Sequence, residues 1–133
     1  MAIMLDADVP IRDEKGTFDL KSWLAGQPNE QFEVAAITVA ELWHGVEQAT
    51  PPHKLRRLQY LQAVLGVLPV VPYTEQTAYE HARIWAELEA AGKMAGYYDL
   101  IVAATALERG SQVATFNQRH FDPVPGLTVI EPK

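Results

Sequence analysis

The sequence predicts an α/β fold: a single three-layer α/β/α domain around a central, mainly parallel sheet of about five strands. Short apolar runs alternate with longer segments whose apolar residues recur every three or four positions, the pattern of strands alternating with helices. Crossover helices of this kind cover both faces of a parallel sheet. The 133 residues suffice for one core, so we expect one domain over residues 1–133.

The first half of the chain contains two predicted strands and two predicted helices. Ala2–Leu5 is an apolar strand that leads directly into Asp6, where we expect a loop to begin. Apolar residues at helical spacings, followed by a glycine, predict a short helix over 17–26. An apolar strand over 34–37 and a helix over 38–49 follow, the latter ended by two prolines.

The second half continues the alternation. A proline pair begins a helix over 51–65, in which leucines recur on one face, and a strand is predicted over 67–71. An amphipathic helix covers 74–91, and the nearly uniformly apolar segment 99–109 predicts a helix packed against the sheet. Two further strands are predicted, over 112–115 and 127–130.

Charge and composition limit the possible functions. Seventeen acidic and eleven basic residues give a net charge of -6, which opposes attraction of nucleic acid through the field of the whole molecule. Bound cations can still reverse the sign of a local acidic site. Cysteine is absent, which excludes disulfides and thiolate metal sites. No apolar run reaches about 18 residues and no signal peptide is evident, so we expect a soluble, unprocessed cytoplasmic protein without membrane contact.

Histidines and tryptophans carry no clear chemical signal in the sequence. The basic run over 53–57 is interpreted as a solvated helix face. Three histidines share no ligand spacing and are interpreted as ordinary surface or helix residues: His53, His81 and His120. Three tryptophans are expected to pack in the core: Trp23, Trp43 and Trp85.

Four polar side chains are expected at one edge of the sheet. Asp6 ends the first strand, and Glu41 lies just after the second. Asp99 begins a helix, and Asn117 follows the fourth strand. Right-handed crossovers bring the carboxyl ends of parallel strands and the amino ends of the helices to one edge, where ligands bind in open α/β sheets. Neighbouring carboxylates repel one another, and a divalent cation such as Mg²⁺ removes that conflict.

Each of these residues also has a purely structural interpretation. Thr38 and Glu41 have the spacing of a capping box, and Asp99 is a possible N-cap. Asn117 suits a turn, and Asp6 could simply end its strand. The predicted convergence of all four is what favours a functional site.

Four segments together resemble the PIN-domain family, and most closely its VapC-type toxins. In order and spacing these segments are IMLDADV, ITVAELWHGVE, YYDLIVAATALERG and VATFNQRHFDPVPGL. The resemblance covers nearly the whole chain and implies an α/β/α endoribonuclease dependent on Mg²⁺, or on Mn²⁺ as a substitute. It further implies an RNA substrate such as tRNA or rRNA, a homodimer, and inhibition by a small antitoxin.

The resemblance assigns the site residues. Its acidic positions fall on Asp6, Glu41 and Asp99, and its variable fourth position on Asn117. We expect Asp6 and Asp99 to be the main metal ligands. Glu41 would bind the metal through water or position the nucleophile, and Asn117 would orient a water or a substrate oxygen.

The sequence also departs from the family pattern. Ala7 stands where the family often has threonine, so a supporting hydroxyl is missing, and we expect Asp8 to take part of that role. Asn117 in place of aspartate removes one charge, which leaves the number of metal ions open. Two other functions remain as alternatives. Asp6-Ala-Asp8 resembles the nucleophile motif of haloacid dehalogenase-type phosphatases, and a non-catalytic PIN-like protein would only bind a partner protein or RNA.

Overall fold

A computed structural model of the chain describes residues 2–133, so Met1, the first residue of the predicted domain, lies outside the described part. One five-stranded sheet has the order β3-β2-β1-β4-β5, and every strand pair is parallel. The strands are β1 (Ala2–Leu5), β2 (Gln31–Ala35), β3 (Val70–Val71), β4 (Gln112–Ala114) and β5 (Val129–Ile130). The predicted fold class is therefore confirmed, although β3 and β5 are shorter than expected.

Six α-helices and one short 3₁₀ turn connect the strands. The helices are α1 (Asp8–Glu14), α2 (Leu20–Ala25), α3 (Ala36–Gln48), α4 (Pro51–Leu65), α5 (Glu75–Ala90) and α6 (Tyr97–Arg109), and the 3₁₀ turn is Gln118–His120. Within residues 2–133, none of these helices combines the length and apolar character that crossing a membrane requires.

The central strand β1 divides the core into two layers. Successive side chains of a strand point to opposite faces, so Ile3 and Leu5 join one apolar cluster and Met4 joins the other. The cluster around Met4 includes buried residues of α5 and α6: Ile84, Leu88, Leu100, Val102, Ala103, Ala104 and Ala106. The opposite cluster includes buried residues of the other layer: Val9, Leu20, Trp23, Val64 and Leu68.

A helix replaces the loop that we expected after Asp6. Helix α1 begins at Asp8, two residues beyond the carboxylate, and buries Val9 and Pro10. Proline is tolerated in the first turn of a helix, where its missing N–H costs no hydrogen bond. With only seven residues, α1 is too short to show a helical repeat in the sequence.

The second strand lies earlier than predicted, and α3 therefore begins at Ala36 rather than at position 38. The polar Glu33 interrupts the apolar run over 32–35, which obscures the strand. In the structure Glu33 is 3% exposed and accepts hydrogen bonds from Arg109 and Ser111. A buried carboxylate with two donors is compatible with a central strand, but these partners lie more than 70 residues away.

Two of the three tryptophans are wrongly predicted as core residues. Trp23 is buried, whereas Trp43 is 37% exposed and Trp85 is 48% exposed. The face of α5 that meets the sheet carries Ile84 and Leu88. Trp85 follows Ile84 and so points about 100° away around the helix.

Candidate active site

The four predicted site residues line one open pocket at the carboxyl edge of the sheet. Asp6 follows β1, Glu41 lies in the second turn of α3, Asp99 lies in the first turn of α6, and Asn117 follows β4. The pocket has a volume of about 350 Å³. Strand order reverses at β1, which has β2 on one side and β4 on the other, so the pocket lies at the switch point of the sheet. The structure thus brings these four residues together at one pocket.

Asp6 is held by two hydrogen bonds at the base of the pocket. The Ala7 N–H donates to Oδ1 at 2.9 Å, and the Thr115 hydroxyl donates to Oδ2 at 2.9 Å. The side chain is buried, which raises its pKa above the ordinary value, although both hydrogen bonds act in the opposite direction. Asp6 is therefore fixed in orientation by groups that favour its charged form.

Asp8 joins the end of β1 to the loop after β4. Its Oδ2 accepts hydrogen bonds from the Phe116 N–H at 3.0 Å and from the Asn117 side-chain amide at 2.9 Å. The Thr115 hydroxyl lies 3.3 Å from the same oxygen. Burial and the nearby charge of Asp6 raise the pKa of Asp8 to about 6. We expected Asp8 only to replace part of the support missing at Ala7, and its contact with Asn117 was not predicted.

Glu41 has a buried oxygen without a partner. Its Oε1 is inaccessible to solvent and makes no hydrogen bond within the described chain. Burial, followed by repulsion from Asp6, Asp99 and Asp8, raises the pKa of Glu41 to about 7. A buried polar oxygen without a donor is costly and requires a physical explanation. Such an oxygen among other carboxylates fits a position that faces a cation or a protonated partner.

Asp99 lies between Asp6 and His120. Burial and the charge of Asp6 raise its pKa, while His120 lowers it. The Nδ1 atom of His120 is 3.5 Å from Asp99 Oδ2. His120 is exposed, as expected of a surface residue, but it also lines the pocket. Sequence spacing could not reveal this, because the contact joins the 3₁₀ turn Gln118–His120 to Asp99 of a different helix.

The capping interpretations fail for Glu41 and Asp99. Thr38 lies inside α3, where the N-cap is Ala35 and no side chain caps the helix. Asp99 is the third residue of α6 and makes no capping hydrogen bond either. Asn117 does precede the 3₁₀ turn, but its side chain bonds Asp8 instead of capping that turn. Local helix geometry therefore does not account for these side chains.

The donor set fits a hard divalent cation. As the side chains stand, residues 2–133 contain no group of three or more histidine, aspartate or glutamate side chains close enough together to hold a metal ion. The pocket nevertheless offers carboxylate oxygens, which Mg²⁺ and Mn²⁺ prefer. A bound cation would give the unpartnered Oε1 of Glu41 a favourable neighbour. It would also lower the raised pKa values of the carboxylates, because a nearby positive charge favours their charged form.

The fold and the pocket together define a class of protein, namely an α/β/α domain that presents clustered carboxylates at the switch point of a parallel sheet. The family model of the PIN domain matches residues 3–127. A VapC ribonuclease of Sinorhizobium fredii is 34% identical over 117 residues, which cover 84% of this chain and 81% of the relative. The tRNA(fMet)-specific endonuclease VapC of Salmonella typhimurium is 34% identical over 96 residues, covering 72% and 71%.

A solved structure agrees with these sequence matches. The crystal structure of DNA-bound VapBC from Salmonella typhimurium has a TM-score of 0.89 at 28% identity and covers 98% of both chains. This chain belongs to the PIN-domain family, in the branch of the VapC ribonucleases. Ribonucleases of this kind generally depend on divalent metal ions. The phosphatase alternative, which rested on Asp6-Ala-Asp8 alone, is set aside by this membership.

Proposed function

We propose that the acidic pocket hydrolyses phosphodiester bonds in RNA and that the chain is the toxin of a toxin–antitoxin pair. The observation that carries this proposal is the unpartnered, buried Oε1 of Glu41 beside three other carboxylates with raised pKa values. Such a cluster is unfavourable unless it serves a cation, and cation-assisted attack on phosphate is the chemistry that it suits.

The side chains take distinct roles in this proposal. Asp6 and Asp99 would hold Mg²⁺, or Mn²⁺ in its place, and the cation would polarise the phosphoryl group and activate a water. Glu41 lies beside the carboxylates that would hold the cation, so it is suited to position the attacking water and to accept its proton, either directly or through a second water. Asn117 donates its amide N–H to Asp8, which leaves its carbonyl oxygen free to orient a water or a substrate oxygen.

The substrate that we propose is structured RNA such as tRNA or rRNA in the cytoplasm. Support comes from the curated relative in Salmonella typhimurium, whose name specifies tRNA(fMet). The identity of the cation as Mg²⁺, the cytoplasmic location and a homodimeric state are also proposals.

A groove beside the active site supports an antitoxin partner. A cavity of about 200 Å³ runs between α1, α3 and α4, and it shares Ile11 and Glu41 with the acidic pocket. An antitoxin segment lying in this groove could therefore place a basic residue against the carboxylates. The similar Salmonella typhimurium structure is a VapBC complex bound to DNA, and we propose the same kind of partner here, with its DNA-binding part repressing the shared operon.

Replacement of Asp99 by asparagine tests the proposed function. We expect Asp99→Asn to abolish both saturable Mn²⁺ binding in calorimetry and metal-dependent RNA cleavage, with the fold intact by circular dichroism. Asp122→Asn, an exposed aspartate outside the pocket, should retain both properties. Cleavage that survives Asp99→Asn in a nuclease-free preparation would refute the proposal. Absence of both metal binding and RNA cleavage in the wild type would favour the non-catalytic alternative.

A further inference from the structure

Two consecutive tyrosines form one wall of the acidic pocket. Tyr97 and Tyr98 occupy the first two positions of α6, directly before Asp99. Tyr97 is 82% exposed and Tyr98 is 57% exposed, and both line the pocket together with Asp6 and Glu41. Their place in the chain fixes them beside a carboxylate that the proposed reaction uses.

These rings have no structural role inside the domain. Within residues 2–133, neither ring packs against another aromatic ring, and neither hydroxyl makes a hydrogen bond. Several other exposed aromatic side chains have partners: the Tyr73 hydroxyl forms a hydrogen bond with His81, and His81 stacks on Trp85. Large aromatic side chains gain stability by burial, so two free rings beside a catalytic pocket indicate a surface that is covered by a ligand.

The charge of the pocket determines what kind of contact can hold an RNA strand there. No lysine or arginine is among the pocket-lining residues of the described chain, and four of those residues are carboxylic acids. The net charge of -6 adds no general attraction for phosphate. Apart from His120 and the phosphate that a cation can neutralise, the contacts that this pocket offers to RNA are therefore uncharged or acidic. Stacking of bases on aromatic rings supplies such contacts and contributes about 1–3 kcal/mol per base.

We infer that Tyr97 and Tyr98 form a base-stacking platform that holds one or two unpaired nucleotides next to the scissile phosphodiester. This inference rests on the proposed ribonuclease function and adds how the substrate is held. Unpaired bases can leave their helical stack and lie on an aromatic face, whereas paired bases cannot. The platform therefore selects single-stranded loops or ends, and it tolerates different bases because each base has a π face.

The two tyrosines differ in their surroundings, and this difference shows which of them can be tested for nucleotide contact alone. Tyr97 also borders an apolar groove between α5 and α6, together with Trp85 and Met94. Tyr98 lines the acidic pocket and not that groove. A protein partner in the groove would contact Tyr97, whereas a nucleotide in the pocket contacts Tyr98. Tyr98 is therefore the position to test.

The test compares two single-stranded probes that carry the same charge. One is a fluorescently labelled oligoadenylate, and the other is an abasic ribose-phosphate oligomer of equal length. Affinities are measured by anisotropy, with every variant built on Asp99→Asn so that bound RNA stays intact. The variants are Tyr98→Ala, Tyr98→Phe and, as a matched control, Tyr79→Ala, which alters a 59% exposed tyrosine of α5 outside the pocket.

The inference predicts a loss that depends on bases. Tyr98→Ala should weaken binding of oligoadenylate about 5-fold to about 100-fold, while binding of the abasic oligomer stays unchanged. Tyr98→Phe keeps the ring and should bind like the parent, as should Tyr79→Ala. Equal affinity of Tyr98→Ala and Tyr98→Phe for oligoadenylate would overturn the inference. So would equal losses for both probes, or a change of oligomeric state in sedimentation, which would assign Tyr98 to a protein contact.

Failure of the proposed function would look different. Shortening of the oligoadenylate by the Asp99→Asn parent, seen on a gel, would contradict the catalytic assignment. The stacking inference is judged instead from the difference between the two probes and between alanine and phenylalanine at position 98.

Discussion

Thr115 supplies Asp6 with the supporting hydroxyl that we expected to be missing because Ala7 replaces threonine. Ala7 has no side-chain donor, but the Thr115 hydroxyl reaches Asp6 from the end of β4 at 2.9 Å. The same hydroxyl accepts a hydrogen bond from the Asn117 N–H at 3.0 Å. In the same loop, the Phe116 N–H donates a hydrogen bond to the Asp8 carboxylate. A donor supplied from a neighbouring strand thus replaces one expected from the adjacent residue. Asp8 acts through Asn117 and Thr115, so it is a positioning residue.

Glu41 should make the metal-free protein less stable as the pH rises. The folded chain retains the Glu41 proton up to about pH 7, whereas the unfolded carboxyl loses it near pH 4.5. Between these values the native state binds more protons than the unfolded state, so the free energy of unfolding falls with increasing pH. Glu41→Gln removes this contribution, and its stability should fall less over that window. Urea unfolding midpoints at several pH values, measured with a chelator present, test the prediction.

The control for this experiment lies on the same helix. Glu47 has a 61% exposed side chain, and Glu47→Gln should follow the pH profile of the wild type. At pH values above 7, added Mn²⁺ should raise the urea unfolding midpoint of the wild type more than that of Glu41→Gln. The reason is that a ligand that binds only the native state stabilises it. Identical profiles for wild type and Glu41→Gln would contradict the repulsion that we assign to the pocket.

The sequence revealed those site residues whose positions follow from topology. Asp6, Glu41, Asp99 and Asn117 stand at strand ends or helix starts, and parallel α/β connections bring such positions to one edge. His120 and Thr115 could not be found in this way. Their roles depend on contacts across the fold, the Thr115 bond to Asp6 spanning 109 positions in the chain. Sequence spacing within one element carries no signal for such a contact.

At the level of elements, the two edges of the sheet have separate roles. The acidic pocket lies at the carboxyl ends of the strands. Toward their amino ends, Glu33 of β2 accepts hydrogen bonds from residues outside its strand. Arg109, at the end of α6, donates to Glu33 at 2.8 Å, and Ser111, just before β4, donates at 2.6 Å. Helix α6 therefore contributes a residue at both ends of the strands: Asp99 from its first turn and Arg109 from its last turn.

Removal of the Glu33 carboxylate should lower stability without altering chemistry. Glu33→Ala leaves the buried Ser111 hydroxyl without its acceptor, and we expect the free energy of unfolding to drop by about 1–3 kcal/mol. RNA cleavage by the folded variant should remain at the wild-type rate. Glu87→Ala, which breaks an exposed ion pair with Arg83, should cost less than about 1 kcal/mol. Equal costs for the two variants, or lost cleavage in folded Glu33→Ala, would contradict this separation of roles.

The ends of helices and strands could be predicted from the sequence where apolar residues dominate. They could not be predicted where a polar residue is buried or where the element is very short. The long helices α5 and α6 were predicted to within about two residues, because many positions define their repeat. Strand β2 was displaced because Glu33 lies inside it, and α1 was missed because seven residues define too little periodicity. The error at β2 arises from tertiary contacts of Glu33 that override the local pattern, whereas the error at α1 arises from a helix too short to show one.

For the molecule as a whole, the two helical layers present different surfaces. The layer of α5 and α6 carries the apolar groove lined by Trp85, Met94 and Tyr97, with a volume of about 750 Å³. Met94 is 89% exposed. The opposite layer, which contains α4, exposes the basic run over 53–57, as predicted. We propose that this groove, lined by large apolar side chains, is a surface for contact with another protein.

The proposed homodimer should therefore form through the groove between α5 and α6. Trp85→Glu places a charge at its centre and should shift the protein from dimer to monomer in sedimentation velocity, because an unpaired charge is costly to bury in an apolar contact. Leu55→Glu makes a comparable change at a 62% exposed position of α4, in the opposite layer, and should leave the dimer intact. A wild-type protein that stays monomeric at all concentrations, or a dimer disrupted equally by both substitutions, would exclude this interface. Because Tyr98 lies outside the groove, dissociation by Trp85→Glu should also leave the base-dependent RNA affinity of each subunit unchanged.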